Sequence, residues 1–558
     1  MLKSKRLLTS FCFSLIPILI FIFWVAQRVT PGIFLGFDYL PSDEEANYLT
    51  ALTVFRGGGL YQDFAIAYPP GRFLLMGLLF KIFSPTIPVA RLYFNLVTPV
   101  LFPALLFFLS YKVLQLLSKT ESINQAILKN YFLSLILTLI YLLFVQSAQE
   151  VHVLTALFFL TGLLTWKNLK IKNFILGFIL GLTYLFRLDS GLLISISLAL
   201  TQLNKIKKNL KKIKFFISGL LTVWLPVMFL IILKGSLINF IHDVLILGLW
   251  TQPKMMSLPI PPSPLGLVFL ASLIFLLGSS LLLIIKSRQN AFLFSLAIFS
   301  LLSFVSALGR SDESHLWYGL NWITIVLGVI LFELFITKKD KNDFNWLSIL
   351  KISLGLFVTA KLIIYFKSPL ALILLISLGY LIIVSKVKNQ RQQLSSKNIA
   401  LATLLTSLLI FHSFSYLKLR LNLPGLPKSF NRPSTADKNK IAGLIFEPDY
   451  IETLTQIKIN LSDDKNLFIF PDHVLFYEFF EKQNPTRHFY LTGERTEKTE
   501  TEIIEQLAAS QTQDFLIFPE KAEQRGGRVW QWIKQNTKIT ASYQLNNIKI
   551  ELRKANQS

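Results

Sequence analysis

Cysteine is almost missing: the 558 residues hold one, Cys12, inside the first apolar block. Neither a disulfide framework nor a cysteine-ligated metal or iron–sulfur site can form within the chain. Acids are scarce as well, 32 against 56 Lys and Arg, for a formal net charge of +24. The strict apolar–polar alternation of a transmembrane β-barrel is missing, and so is any His-Glu-x-x-His spacing. What the chain has in excess is apolar surface, with 53% hydrophobic residues, 49 Phe and a mean hydropathy of +0.53. A soluble globule has no interior able to take that much, so a soluble enzyme is excluded. The apolar residues come in blocks of roughly 18 to 25, the length of helix that crosses about 30 Å of hydrocarbon. The class is a polytopic α-helical membrane protein.

Hydropathy predicts thirteen spans, at 7–26, 90–111, 130–147, 152–166, 173–186, 190–204, 215–233, 265–285, 291–308, 318–336, 347–366, 369–385 and 398–416. An odd number puts the termini on opposite sides. With the N-terminus in the cytoplasm, the segments on that side hold 24 Lys and Arg against 3 Asp and Glu. The basic surplus is therefore the positive-inside signature of a multi-pass plasma or inner membrane protein, seen locally at Lys205, Lys207, Lys208, Lys211, Lys212 and Lys214. No nucleic-acid partner is expected. The first block opens Met-Leu-Lys-Ser-Lys-Arg but runs long and meets no Ala-x-Ala-like cleavage site, so it reads as a span.

Three outer-face stretches are too long for simple connections: 27–89, 234–264 and the tail after Leu417. The expected division is a transmembrane domain over 1–416, a linker over 417–435 containing Pro424, Pro427 and Pro433, and an extracytoplasmic α/β domain over 436–558. Within the tail the pattern predicts a strand Asn466–Phe470, a helix 472–482, a strand Arg487–Leu491, a helix 499–509, a strand Asp514–Phe518, a helix 528–536 and a closing hairpin through Tyr543, Asn546, Asn547 and Ile550. The 234–264 loop, rich in Ile, Leu and Phe with few charges, reads as an interfacial element able to cover a lipid chain or simply to pack there.

Just beyond the first span stand Asp43, Glu44 and Glu45, then Tyr48, the run Arg56-Gly57-Gly58-Gly59-Leu60-Tyr61-Gln62-Asp63-Phe64, and Tyr68-Pro69-Pro70-Gly71. Adjacent carboxylates above a bilayer raise one another's pKa and are poorly solvated, which suits a site that handles a cation or a proton. A plain helix start accounts for them equally: Ser42 and Glu45 make a Ser-x-x-Glu capping box, and the helix dipole favours acids there. Farther along, Glu150, His152, His242 and Asp243 fit a divalent cation or ordinary interfacial packing, so the need for a cofactor stays open.

The order Asp-Glu after the first span, Gly then Tyr-x-Asp-Phe, Tyr-Pro-Pro-Gly, Leu-Phe-Lys-Ile-Phe and Ala-Arg91-Leu, over roughly residues 30 to 95, resembles the GT-C polyprenyl-phosphate-sugar-dependent glycosyltransferases. Protein O-mannosyltransferases and the lipid A aminoarabinose transferase are the nearest types. The resemblance implies a GT-C-like fold, a polyprenyl-phosphate-linked sugar donor drawn from the membrane lipid, and an extracytoplasmic acceptor that the sequence leaves unnamed. It implies Asp43 as catalytic base and Glu44 as its motif neighbour; a shorter spacing to Tyr48 would align Glu44 and Glu45 instead. Displacing a lipid phosphate also needs cationic groups or a metal where charge develops. Arg72, Arg91, Arg187, Lys254, Arg310 and His315 lie on the outer face, and with Asp63 the ones expected to bind substrate are Arg91, Arg187, Arg310 and His315. A local Arg–Asp pair that solvates a turn is the plain alternative for Arg187 with Asp189 and for Arg310 with Asp312. Two other activities share much of this pattern, a transporter or flippase of lipid-linked sugars and a glycan polymerase or ligase using a diphosphate donor. The first of these wants ionisable residues and broken helices at the bilayer midplane, and few are present.

Overall fold

The computed structural model describes residues 42–96, 101–117, 149–202, 210–251, 291–308 and, with short gaps, 440–556, together with five isolated positions between 130 and 138. The expected spans at 7–26, 265–285, 318–336, 347–366, 369–385 and 398–416, most of 130–147, and the expected linker lie outside the described residues.

The first outer loop folds into α1 (Ser42–Phe55) and α2 (Gly71–Ile82), and α3 (Ile87–Leu96) and α4 (Phe102–Leu117) divide the expected 90–111 span between them. Then come α5 (Glu150–Leu163), α6 (Leu169–Phe186), α7 (Leu188–Gln202), α8 (Leu210–Leu233), a short α9 (Leu237–Phe240) that continues in π-helical geometry over Ile241–Thr251, and α10 (Ala291–Leu308). Among the described residues, two helices are long and apolar enough to cross a membrane, Leu169–Phe186 and Ile213–Leu233. α6 starts earlier than hydropathy predicts because the Asn168 side chain caps it, accepting from the amides of Lys170 and Ile171. Gly177 of α6 lies against the Phe216 carbonyl and Gly219 of α8 against the Phe174 carbonyl, so the two backbones meet where any larger side chain would hold them apart. Phe102, Leu106, Phe158, Phe159, Leu180 and Phe299 fill the bundle core.

The helices run alternately. α5 begins at Glu150, bonded to Arg72 of the outer loop; α6 returns to end at Phe186, with Leu185 against Gly71. α7 leaves again, and α8 returns to Lys234, whose Nζ donates to the Gly57 carbonyl at 3.2 Å. The turn between α5 and α6, with exposed Lys167, therefore lies at the end of the bundle away from the outer loop, as the charge pattern requires.

The tail forms a short hairpin of β1 (Lys440–Ile441) and β2 (Leu444–Ile445), then α11 (Pro448–Asn460), β3 (Leu467–Phe470), α12 (Phe476–Phe480), α13 (Glu497–Ala509), β4 (Asp514–Ile517), α14 (Pro519–Arg525), α15 (Gly527–Asn536), β5 (Thr537–Leu545) and β6 (Ile548–Ala555). The four-stranded sheet has the order β3-β4-β6-β5, with β3 and β4 parallel and the other pairs antiparallel. The expected strand at Arg487–Leu491 is corrected over its described part: residues 487–489 are irregular. The reason is local, since Asn484 accepts from the Thr486 amide and donates to the His488 carbonyl, which curls the chain out of extension. The expected helix 472–482 shortens to α12, and α11 and α14 are additional.

Period-two alternation splits the sheet between two cores. Phe468, Phe470, Phe515 and Ile517 point to α13 and α15, packing on Ile503, Leu507 and Trp530. Leu467, Ile469 and Leu516 point the other way, where α11 and α12 share one apolar cluster with Tyr48, Leu52, Met76 and Phe80 of α1 and α2. Burying a large apolar side chain contributes about 1.5–3 kcal/mol. The tail and the first outer loop are thus held together by a common core, although some 400 residues separate them in sequence.

Candidate active site

Asp43 and Glu44 lie on the first turn of α1, at the positive end of its dipole. Their side chains lie outside the described residues, as do Lys254, Arg310 and His315. Glu45 is buried and turned to the tail: Oε2 accepts from the Leu475 amide at 3.1 Å, and Oε1 stands 3.9 Å from Nδ1 of buried His473. Tyr48, one turn on, donates to the Pro85 carbonyl at 2.9 Å and sets its ring edge-on to Phe80. α1 is therefore fixed on both sides just past its acidic start.

The Gly-rich run after α1 is an architectural turn. Asp63 Oδ2 accepts from the Gly59 amide at 2.6 Å, while the residue itself is exposed. Tyr61 sits at φ 63°, a left-handed conformation that costs an L-residue about 1–2 kcal/mol. Its fully buried ring, 5.2 Å from that of Phe240, and its hydroxyl, donating to the Tyr68 carbonyl at 3.0 Å, hold it there.

The Tyr-Pro-Pro-Gly segment then brings the outer loop against the membrane helices. A Cβ on Gly71 would stand 2.6 Å from the Leu185 carbonyl, so α2 starts in direct backbone contact with the end of α6. That contact places Arg72 and Arg187 in one region. Arg72 grips Glu150 through two hydrogen bonds of 2.8 and 2.7 Å, and Tyr93 of α3 donates to the same carboxylate at 2.7 Å. Burial opposes both charges, but the partnership outweighs it, holding the Glu150 carboxyl below and the Arg72 guanidinium above their ordinary values. Arg187 caps α6 and makes two bonds to Asp189, at 3.1 and 2.7 Å, a third at 3.5 Å to Gln149, and lies 5.9 Å from the centre of the Tyr68 ring. The N-termini of α5 and α7 open at the same place, so two arginines, two helix ends and a tyrosine ring face one region at the outer end of the bundle.

Of the other expected site residues, Arg91 is buried on α3 near Tyr93. His152 is a capping residue: its Nδ1 accepts from the Gln149 amide at 2.9 Å, and its ring packs edge-on to Phe102. Asp243 is buried in the π-helical segment beside His242, whose Nδ1 lies 3.0 Å away. Among the described residues no group of three His, Cys, Asp or Glu comes together as a metal would need.

A clamp absent from the sequence reading joins these parts. Arg487 of the tail bonds Asp243 at 2.7 and 3.2 Å, Glu502 at 2.7 Å and the Tyr61 carbonyl at 3.2 Å. Asn239 donates to the same carbonyl. His488 Nε2 stands 3.4 Å from Glu502 Oε2, an ion-pair distance longer than a well-formed hydrogen bond, and with Arg487 it holds the Glu502 carboxyl well below the ordinary range. No local signal marks Arg487, since Asp243 lies 244 positions away.

No protein-family model matches the sequence, and no curated protein matches it. Among solved structures, the crystal structure of ArnT from Cupriavidus metallidurans bound to undecaprenyl phosphate aligns with a TM-score of 0.50 and 10% identity, covering 98% of this chain and 97% of that one. The same protein in the apo state gives 0.48 and 10%, with 98% of each chain covered. At such identity the likeness to the undecaprenyl-phosphate-bound structure is one of fold. Over 98% of its length the chain aligns in fold with ArnT, in keeping with the helical bundle and the C-terminal α/β sheet region of the described residues.

Proposed function

We propose that this protein is an integral-membrane glycosyltransferase that takes a sugar from a polyprenyl-phosphate donor and gives it to a hydroxyl of an extracytoplasmic acceptor. In the proposed step the acceptor oxygen attacks the anomeric carbon as the bond from that carbon to the phosphate oxygen breaks, inverting the centre. Asp43 takes the acceptor proton, with Glu44 beside it, and polyprenyl phosphate leaves as the anion. A well-placed base contributes about 10² to 10⁴ in rate. Arg187, with the α5 and α7 N-termini, receives the developing phosphate charge. Arg72, spent on Glu150, holds the turn that presents Tyr68, and Arg91, Arg310 and His315 are further candidates to meet the donor. The exposed apolar side chains Ile238, Ile241 and Ile246 give the polyprenyl chain a surface to lie along.

The observation that carries this reading is the meeting of the outer loop with the bundle end, where Gly71 abuts Leu185 and Arg187 approaches the Tyr68 ring. It joins the segment bearing the glycosyltransferase-like motif to cationic, amide-rich helix ends in a chain with the fold of a protein crystallised with undecaprenyl phosphate. The test is release of free polyprenyl phosphate from a panel of polyprenyl-phosphate sugars by the purified protein in lipid. Asp43→Asn is expected to lower release by about 10² or more, and Arg187→Ala to raise the donor KM. Equal release by wild type and Asp43→Asn would remove Asp43 as base, and no release from any donor in the presence of mixed acceptor glycans would overturn the proposal.

A further inference from the structure

A cleft of about 560 Å³ opens between the last two turns of α1, the turn at Gln62 and Asp63, and the tail from Tyr477 to Phe489. Ligand sites run to about 300–1,000 Å³, so this one has room for several rings. Its floor is apolar, made by Leu49 and Leu52 with the ring of Phe489, which stands edge-on to Tyr477. Its walls are polar, and their charges are already spoken for. Arg56 is paired with Glu478 through bonds of 2.8 and 3.0 Å, Arg487 with Asp243 and Glu502, and Lys482 with the carbonyl oxygens of Ser462 and Asp464. What the rim offers a ligand is different: among the described residues, the side-chain amides of exposed Gln62 and Gln483 and the second oxygen of Asp63 carry no hydrogen bond.

We propose that this cleft binds an uncharged oligosaccharide. Paired donors and acceptors on amides and a carboxylate, set above an apolar floor, complement a ring that shows hydroxyls at its edge and C–H groups on its face. An anionic ligand would meet Asp63 and Glu478, with Arg56 and Arg487 held by carboxylates and the Lys482 ammonium turned onto two backbone carbonyls, and a lipid chain would strip water from those same groups without replacing it. An extended peptide gains its affinity from a free strand edge, and the start of the β3 edge beside the cleft is already taken, since the Gln483 amide donates to the Lys465 carbonyl and its carbonyl accepts from the Leu467 amide. The cleft lies about ten residues along α1 from Asp43, about 15 Å at 1.5 Å per residue. A chain of sugars held there has its end unit within reach of the first turn of α1. The cleft's use as an acceptor site rests on the glycosyltransferase reading, whereas the binding itself does not.

The experiment is fluorescence anisotropy with the full chain in lipid nanodiscs, using fluorescein-labelled linear hexasaccharides of glucose, mannose, galactose and N-acetylglucosamine, beside a labelled unstructured peptide. At least one saccharide is expected to bind. Replacing both exposed amides (Gln62→Ala with Gln483→Ala) removes two hydrogen bonds and is expected to weaken binding about tenfold or more, while Lys534→Ala, on α15 and outside the cleft, leaves it unchanged. Binding that persists undiminished in the double variant, binding of the peptide alone, or no binding by any saccharide overturns the proposal. Both positions are exposed, so loss of binding with an unchanged melting temperature excludes misfolding as the cause. Polyprenyl-phosphate release without saccharide binding would sink this inference and leave the transferase standing; the converse would leave a glycan-binding membrane protein whose transfer step had failed.

Discussion

Among single residues, burial decides what each ion pair contributes. Arg56 and Glu478 make two short bonds, but the arginine is 60% exposed, and such pairs contribute between nothing and about 1 kcal/mol. Arg72 and Glu150 are different, with side chains 21% and 7% exposed. Removing one partner leaves a buried charge alone, so Glu150→Gln is expected to cost about 3–5 kcal/mol, read as a lower melting temperature in detergent. Glu502 supplies a pH dependence. Its folded carboxyl is held below the ordinary value of about 4.5 by His488 first and Arg487 next, against the opposing effect of burial. A group whose pKa is lowered on folding stabilises fully above its unfolded value and loses that contribution as pH falls through the folded one. Acidification below about 4.5 is therefore expected to loosen the tail from the 237–251 segment, seen as faster amide exchange there, and Glu502→Gln should remove the pH-dependent part. Arg187 with Asp189 was legible in the sequence because the two are neighbours. Arg72 with Glu150 and Arg487 with Asp243 were not, because 78 and 244 positions separate them and only the folded chain brings them together.

At the scale of elements, what could be read was what repeats locally. Apolar blocks marked α6, α7, α8 and α10 closely, and alternation marked β3, β4 and the closing hairpin. The boundaries that failed have side-chain causes: Asn168 extends α6, and the Asn484, Thr486 and His488 bonds break the expected strand. α14, which the sequence pattern did not predict, opens on Pro519, whose missing amide hydrogen costs no helix bond at the first turn. The Tyr-Pro-Pro-Gly segment was legible as a motif, but its purpose was not, since that depends on the partner backbone. A methyl group on Gly71 would have to displace the Leu185 carbonyl or the start of α2, neither of which is a flexible side-chain end. Gly71→Ala is expected to destabilise by about 1–3 kcal/mol and, by shifting Tyr68 relative to Arg187, to lower kcat/KM for the donor. Gly235→Ala is the comparison: unlike Gly71 it sits at a positive φ of 67°, and nothing lies within 4 Å of the added carbon. That variant should lose stability through backbone strain while donor kinetics stay at the wild-type level.

For the whole molecule, the shared core sets a rule that hydropathy alone does not. Tyr48, Leu52 and Met76 of the first outer loop pack in one cluster with Leu454, Leu475 and Phe480 of the tail, and Glu45 bonds the Leu475 amide. Both segments must therefore stand on the same side of the bilayer, and the chain between them must cross it an even number of times. Twelve expected spans lie in that interval, which satisfies the rule; a single missed or surplus span would break it. Direction within the bundle adds a second constraint, since α5 leaves the outer loop at Glu150 and α6 comes back to it at Leu185. Lys167 at the turn between them must then face the opposite side, in keeping with the positive-inside reading of that turn. In a Cys12→Ser background, Gln62→Cys and Asp463→Cys are expected to react with a membrane-impermeant maleimide from outside intact cells, and Lys167→Cys only after the membrane is opened. Labelling of Gln62→Cys and Asp463→Cys from opposite sides would contradict the common core itself. Labelling of all three from outside would keep that core and overturn the direction of α5 and α6.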